Sequence, residues 1–131
     1  MIRTKRKYGN KKITRDGETF DSLKEYRRFC ELRLLEKAGE VTDLKRQVEF
    51  ELIPAQFEEV PTGEFYKRGE RKGQPKTKLV CVEQSVKYLA DFVYTENGKK
   101  VVEDTKGFKT ADYKIKRKLM LYIHKIKIKE S

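Results

Sequence analysis

An Asn97-Gly98 dipeptide between two apolar runs constrains the fold of this chain more than any other feature. Both residues tolerate the positive φ of a type I′ turn, which makes the pair the strongest short signal for a β-hairpin. A two-residue loop there sets Asp91 directly opposite Asp104 on the neighbouring strand. Directly opposed Cβ atoms lie about 4.5–5.5 Å apart, and like charges at that spacing are destabilising. The two carboxylates therefore require a cation.

Lys106 lies two positions beyond Asp104, on the same predicted face of the hairpin. One ammonium group neutralises one carboxylate but not two, and partly buried charges need partners. Hard oxygen ligands of this kind suit Mg²⁺ or Mn²⁺. The Thr105 backbone carbonyl is a candidate for a further ligand. The pattern predicts a metal site at this end of the hairpin.

Two alternatives remain open for the hairpin. A surface ion-pair cluster, Asp104 with Lys106 or Lys100, is the ordinary interpretation of an Asp-x-Lys tripeptide in a chain this charged. A one-residue slip of the strand register would place Glu103 rather than Asp104 on the Asp91 face. The metal site therefore depends on a turn of two residues.

The composition favours a polyanionic partner. The 131 residues carry a formal net charge of +11, with 40% charged and 37% hydrophobic residues. Such an excess of positive charge suits nucleic acid better than an acidic small molecule, although a merely soluble basic protein is the alternative. We expect a single domain over residues 1–131, because a chain of this length buries one core but not two.

Several classes of protein are disfavoured. No apolar run approaches the roughly 20 residues of a membrane span, and the amino-terminal segment lacks the apolar stretch of a signal peptide. Two cysteines and one histidine argue against zinc sites, disulfide scaffolds and histidine-assisted nucleophiles. We therefore expect a cytoplasmic protein with no membrane partner, whose chemistry comes from carboxylates and lysine.

Turn, cap and periodicity signals divide the rest of the chain. The second helix carries Ala111, Ile115, Leu119, Tyr122 and Ile123 on one face and most of its lysines on the other. The predicted segments are a basic tail at 1–12, a hairpin turned at Asp16-Gly17, a helix at 22–38 that Ser22 caps, a strand at about 47–53, a basic loop or flexible hairpin at 59–78, a helix at 110–124 that Thr110 caps, and an edge strand at 126–129.

These residues resemble a known family. Ala90-Asp91, followed by Glu103-Asp104-Thr105-Lys106 after a helix with Glu25, is similar to the signature of the PD-(D/E)XK nuclease superfamily. Within it, the runs FDSLKE at 20–25 and VEDTKG at 102–107 most resemble small phage-encoded nuclease-like proteins. The resemblance spans roughly 8–55 and 79–128 and leaves the basic insertion at 59–78 outside. Ala90 stands where the family motif has proline, which is not a ligand.

The resemblance implies a fold and a set of site residues. The fold is an α/β (α+β) restriction-endonuclease-like core, a mixed central β-sheet flanked by α-helices. Glu25, Asp91 and Asp104 would bind Mg²⁺, and Lys106 would assist the attacking water. Closing the capping box with Ser22 is an alternative role for Glu25. Gln47 resembles a recurring polar position at a strand start, as a contact to substrate or to a ligand.

The leading hypothesis is a Mg²⁺-dependent endodeoxyribonuclease, acting on DNA that includes branched or recombination DNA as in resolvase-like relatives. A non-catalytic nucleic-acid-binding protein on the same fold is the alternative, and a phage structural protein is a third. Resolvase-type cutting requires two copies, which allows a homodimer. A phage-encoded protein would work in the host cytoplasm. The candidate nucleic-acid contacts, which compete with a simple solvated surface, are Gln47, Lys67, Arg68, Arg71, Lys72, Lys109, Lys114 and Lys118.

Overall fold

The structure is a computed structural model that describes residues 11–131. Within that range, two α-helices accompany one four-stranded and two two-stranded β-sheets. The predicted α/β (α+β) class is confirmed. Residues 1–10 of the predicted basic tail lie outside the described residues.

The elements follow the predicted order closely. In the four-stranded sheet the order is β3-β6-β7-β8; β6 and β7 are antiparallel, and β7 and β8 are parallel, so the sheet is mixed. The bounds are β1 (Ile13–Arg15), β2 (Glu18–Phe20), α1 (Leu23–Lys37), β3 (Val41–Ile53), β4 (Gln56–Phe65), β5 (Pro75–Glu83), β6 (Val86–Glu96), β7 (Lys99–Asp104), α2 (Ala111–His124) and β8 (Lys129–Glu130).

The chain separates into two compact units. One comprises the described residues up to Phe50 together with Tyr88–Ser131, and the other is Glu51–Lys87. In the second unit, β4 and β5 pair as an antiparallel hairpin, which is one of the two forms predicted for the basic segment at 59–78. The single domain expected for the whole chain stays a prediction.

The turn at Asn97-Gly98 has the predicted backbone and sets the predicted register. Its φ angles are 51° and 74°, both in the left-handed region that a type I′ turn requires. The paired residues run from Glu96 opposite Lys99 to Phe92 opposite Glu103. Asp91 and Asp104 are the next residues beyond that last pair, so the predicted register is confirmed up to the site.

Helix α1 confirms the predicted cap at Ser22, whose hydroxyl accepts a hydrogen bond from the Glu25 backbone N–H at 3.1 Å. The buried residues of the helix are Glu25 and Leu32, whereas Leu23 and Leu34 are exposed. Leu32 packs in a cluster with three buried residues of the sheet region, Val41, Phe92 and Tyr94.

Helix α2 begins after Thr110, whose hydroxyl accepts from the Tyr113 N–H at 3.1 Å, as predicted. Its buried residues are Tyr113 and Met120. The apolar stripe seen in the sequence lies elsewhere, since Ile115 is 57% and Tyr122 76% exposed. The helix therefore buries a mixed face and presents its most regular apolar face to the surface.

Two strands differ in length from the sequence interpretation. Strand β3 begins at Val41 rather than near 47, and positive φ angles at Asp43 (58°) and Gln47 (53°) interrupt it, which hid its first half from a search for alternation. Strand β8 covers only Lys129–Glu130 and lies at the sheet edge, as expected for the last strand. Neither helix in residues 11–131 has the length and apolar content needed to cross a membrane.

The turn geometry leads to a stability prediction. Gly98→Ala should lower the free energy of unfolding by about 1 kcal/mol, because a Cβ is disfavoured at positive φ. Nothing lies within 4 Å of the added methyl group, so backbone strain is the only change in the folded state. Urea denaturation measures the effect. Gly107→Ala is the control, since Gly107 also has open space but lacks the positive φ; equal losses in both variants would contradict the explanation.

Candidate metal centre

Asp91, near the middle of β6, accepts hydrogen bonds from Thr105 and lies beside the carboxyl group of Asp104. Its Oδ2 accepts hydrogen bonds from the Thr105 backbone N–H at 2.9 Å and from the Thr105 hydroxyl at 3.1 Å. The side chain is nearly buried, with Asp91 8% exposed. Burial first, and then the charge and hydrogen bonding of Asp104, raise the pKa of Asp91 to about 7. The two carboxyl groups thus interact directly, as the hairpin register predicted.

Asp104, at the end of β7, is fully buried and only partly satisfied. Its Oδ2 accepts a hydrogen bond from the Tyr88 hydroxyl at 2.5 Å. Its Oδ1 accepts no hydrogen bond from the described residues. The Lys106 ammonium lies 3.3 Å from that atom as an ion pair. A buried carboxylate oxygen without a hydrogen bond is costly, and a bound cation would satisfy it.

Glu25, in the first turn of α1, closes a variant of the capping box and also faces the strand acids. Its Oε2 accepts from the Asp21 backbone N–H at 3.0 Å, and its Oε1 accepts from the Gln47 amide at 3.1 Å. Arg46 lies 3.5 Å from Oε1. Burial first, and then the charge of Asp91, raise the pKa of Glu25. The capping role and a metal-binding role, which the sequence left as alternatives, are therefore compatible.

Asp21 is the acidic residue that the sequence interpretation missed. Asp21, Glu25 and Asp91 each offer a carboxylate oxygen, and these atoms all lie within 4.8 Å of one another. This acidic triad could bind a metal. Asp21 and Glu25 are four residues apart, a spacing that brings side chains together at a helix start and could have identified the pair. Asp91 is the residue that the triad shares with the pair formed with Asp104.

Glu103 contrasts with its neighbour Asp104. It is fully buried, but Arg28 grips both of its oxygens, with Nε–Oε2 at 2.6 Å and Nη2–Oε1 at 3.0 Å. The hydroxyls of Tyr94 and Ser131 donate to it at 2.6 and 2.9 Å. Burial is the largest influence and acts to raise the pKa of Glu103, yet these bonds together hold it below its ordinary value. Glu103 is thus a structural link between β7 and α1.

The remaining predicted residues fall into different surroundings. The Thr105 groups with defined contacts are its N–H and hydroxyl, so a ligand role for its carbonyl stays a prediction. Lys109 pairs with Glu130 at 3.0 Å, and Gln47 is bonded to Glu25. The other candidates, all exposed, are two lysines on α2 and four cations in the connection between β4 and β5: Lys114, Lys118, Lys67, Arg68, Arg71 and Lys72.

The raised pKa of Asp91 makes stability depend on pH when no metal is bound. The unfolded chain releases this proton near the ordinary pKa of 3.8, whereas the folded chain keeps it up to about 7. The free energy of unfolding should therefore fall as the pH rises through this window. Asp91→Asn removes that loss, so relative to the native chain it should gain stability between pH 5 and pH 8, as measured by thermal unfolding in EDTA.

The control for this experiment is Asp43→Asn, a change at an exposed aspartate that already has a positive φ. Its effect should be the same at both pH values. Adding Mg²⁺ at pH 8 should then raise the melting temperature of the native chain more than that of Asp91→Asn, because a ligand that binds only the folded state stabilises it. An Asp91→Asn variant that shows no gain between pH 5 and pH 8 would contradict the electrostatic account.

Comparison with known proteins identifies one family. None of the curated proteins and none of the solved structures matches the chain significantly. The model of a family described as a protein of unknown function, DUF1064, matches residues 5–130. Since this match covers nearly all of the 131 residues, the chain belongs to the DUF1064 family.

Proposed function

We propose that this protein is a Mg²⁺-dependent endonuclease that hydrolyses phosphodiester bonds in DNA. One observation carries the proposal: the adjacent carboxyl groups of Asp91 and Asp104 are nearly or fully buried, and one oxygen of Asp104 has a lysine 3.3 Å away but accepts no hydrogen bond. Asp104 differs in this from Glu103, whose two carboxylate oxygens accept hydrogen bonds from Arg28, Tyr94 and Ser131.

The donor set fits a hard divalent cation. Every candidate ligand atom is an oxygen, from a carboxylate or from the Thr105 carbonyl, and oxygen ligands select Mg²⁺ or Mn²⁺ over zinc, which prefers histidine and cysteine. Asp91 and Asp104 would hold the ion, with Glu25 and Asp21 as the further acids next to Asp91. The Oδ1 of Asp104, which lies 3.3 Å from the Lys106 ammonium and accepts no hydrogen bond from residues 11–131, is the atom that such an ion would satisfy.

A bound Mg²⁺ would lower the pKa of a coordinated water and offset charge on the scissile phosphate. The chain's own residues would do the rest. Lys106 stays partly exposed, so its ammonium can donate to a phosphate oxygen or to the attacking water while Asp104 fixes its position. The Tyr113 ring, 5.1 Å from Nζ, further stabilises the charge of Lys106. Thr105 keeps one oxygen of Asp91 occupied.

The hairpin of the second unit supports nucleic acid as the substrate. A two-stranded ribbon is at best marginally stable in water, and this one leaves Phe57 56% and Leu79 67% exposed. Its connection carries four exposed cations and one acid, Lys67, Arg68, Arg71, Lys72 and Glu70. A two-stranded ribbon has the width to enter the major groove of a duplex. We therefore assign this hairpin the role of a DNA-binding arm.

The sequence motifs add two finer parts of the proposal. Their resemblance to the PD-(D/E)XK superfamily supports the same roles for Glu25, Asp91, Asp104 and Lys106. The likeness to resolvase-like relatives suggests branched or recombination DNA, cut by a homodimer. A comparison of four-way junctions with linear duplex of the same sequence tests the substrate form.

The nuclease proposal predicts metal-dependent cutting that the site residues control. The purified protein should nick plasmid DNA with Mg²⁺ or Mn²⁺ and not in EDTA. Asp104→Asn and Lys106→Met should each slow cleavage by about 100-fold or more, as expected for removal of a group that stabilises the transition state. Gel assays of initial rates measure this.

Asp43→Asn, purified in the same way, controls for contaminating nuclease and should cut like the native chain. Undiminished cutting by an Asp91→Ala/Asp104→Ala double variant would refute the site. Salt-sensitive binding with no cleavage of any DNA form would instead favour the non-catalytic binding protein.

The DNA-binding arm has a test of its own. Lys67→Gln/Arg68→Gln should weaken DNA binding and reduce the slope of log K against log salt by about 0.9 for each phosphate that the arm no longer neutralises. Arg33→Gln/Lys37→Gln removes the same charge from exposed positions at the far end of α1 and serves as the control. Fluorescence anisotropy over roughly 50–200 mM salt measures both slopes. Equal slopes in the two double variants would contradict a role for the hairpin tip.

A further inference from the structure

A cavity of about 490 Å³ lies between α1, the end of β7 and the edge strand β8. We infer that it binds a phosphate group of the nucleic-acid strand that the metal centre cuts. This inference rests on the proposed function for its location beside a cutting site, although the cavity's affinity for phosphate can be measured without metal. None of the candidate nucleic-acid contacts predicted from the sequence lines this cavity.

The charges that line the cavity call for an anion. Among residues 11–131, four of the lining side chains are cationic, Lys24, Arg27, Arg28 and Lys129, and one is a carboxylate, Glu31. Arg28 pairs with Glu31 at 2.9 Å and with Glu103, and Lys129 lies 3.9 Å from Glu103, which leaves Lys24 and Arg27 as the two lining cations without a carboxylate partner in that range. Like charges that line one concavity repel one another and attract an anion.

Two of those cations have donors to spare. Within residues 11–131, the side chain of Arg27 makes no hydrogen bond or ion pair. Lys24 makes one long hydrogen bond, from Nζ to the Lys106 carbonyl at 3.4 Å. An arginine fork and a lysine are the groups that proteins use most readily to hold phosphate oxygens.

The wall of the cavity favours the sugar-phosphate backbone over a base. Among residues 11–131 no aromatic side chain lines it, so a base would find no ring there on which to stack. Its volume lies within the range of about 300–1,000 Å³ that is typical of ligand sites, so it can admit a nucleotide unit of a strand. Phosphate contacts of this kind set the position of a strand without reading its sequence.

Thr105 connects the cavity to the candidate metal centre. It lines the cavity, and its N–H and hydroxyl hold the Oδ2 of Asp91. The Lys24 ammonium contacts the carbonyl of Lys106, the proposed catalytic lysine. A phosphate bound in the cavity would therefore lie close to the scissile position and would hold the strand in register over Asp91.

One part of the cavity wall, at Arg28, is already fixed in place. Arg28 is locked by both oxygens of Glu103, which Tyr94 and Ser131 also bind. A preorganised wall loses little conformational entropy when the ligand binds. Lys24 and Arg27 lie at exposed positions of the same helix, where substitution should not disturb the fold.

The test removes the two free cations. Lys24→Gln/Arg27→Gln should weaken binding of an internally labelled DNA strand in EDTA by about tenfold near 0.1 M salt, as expected when one or two phosphates are no longer neutralised. The control, Arg33→Gln/Lys37→Gln, takes the same charge from the same helix at exposed positions. Equal weakening by the two double variants would overturn the proposal, and thermal unfolding of both confirms that they are folded.

A comparison of different DNA strands shows whether the bound phosphate is internal or terminal. Weaker binding of circular strands, as well as of linear strands with 5′-phosphate or 5′-hydroxyl ends, identifies an internal phosphodiester. Weaker binding confined to the 5′-phosphorylated strand identifies a terminal phosphate. Either result supports the cavity.

Cleavage is scored separately from this binding. If the native chain fails to cut with Mg²⁺ or Mn²⁺ but Lys24→Gln/Arg27→Gln still binds more weakly than the control, the nuclease proposal fails and the phosphate site stands. If the native chain cuts and the two double variants bind alike, the nuclease stands and the cavity proposal fails.

Discussion

Repulsion between the buried carboxyl groups of Asp91 and Asp104 is the constraint on which the site depends. The hairpin turn brings the two strands into register, and burial removes the water that would screen the charges. Without a cation, burial first and then repulsion from Asp104 favour the protonated form of Asp91, which raises its pKa to about 7. Thr105 and Tyr88 each satisfy one oxygen and leave the rest of the pair in need of positive charge.

A comparison of two successive residues of β7 shows that the shortage of hydrogen-bond donors is specific to Asp104. Glu103 and Asp104 are both fully buried, and alternation along the strand sends their side chains in opposite directions. Glu103 accepts two hydrogen bonds from the Arg28 guanidinium and one from each of two hydroxyl groups. Asp104 receives one hydroxyl and a lysine that stays partly exposed. The fold can thus satisfy a buried acid here completely, and the unequal treatment of Asp104 supports a functional role.

The features that could be predicted from the sequence depend on interactions between neighbouring residues. The features that could not be predicted depend on contacts between elements far apart in the chain. The Asn97-Gly98 turn and the cap at Ser22 act through neighbouring backbone, so their consequences for register and helix start were predictable. The burial of Glu25 was not, because it depends on Gln47 and Arg46 from another element. The place of Asp21 in the acidic triad was not predicted for the same reason, since the triad forms only when the fold brings Asp91 beside Glu25.

Helix α1 connects the acidic and the basic parts of the proposed site. Its inward face supplies Glu25 to the acids around Asp91, and an adjacent face supplies Lys24 and Arg27 to the cavity. One rigid element thus sets the spacing between a site for a cation and a site for an anion. A small anion would occupy only one of them, whereas a nucleic-acid strand with its regular spacing of phosphates can engage both at once. In the proposed nuclease, Glu25 of this helix would help to hold the metal, and Lys24 and Arg27 would hold the phosphate chain.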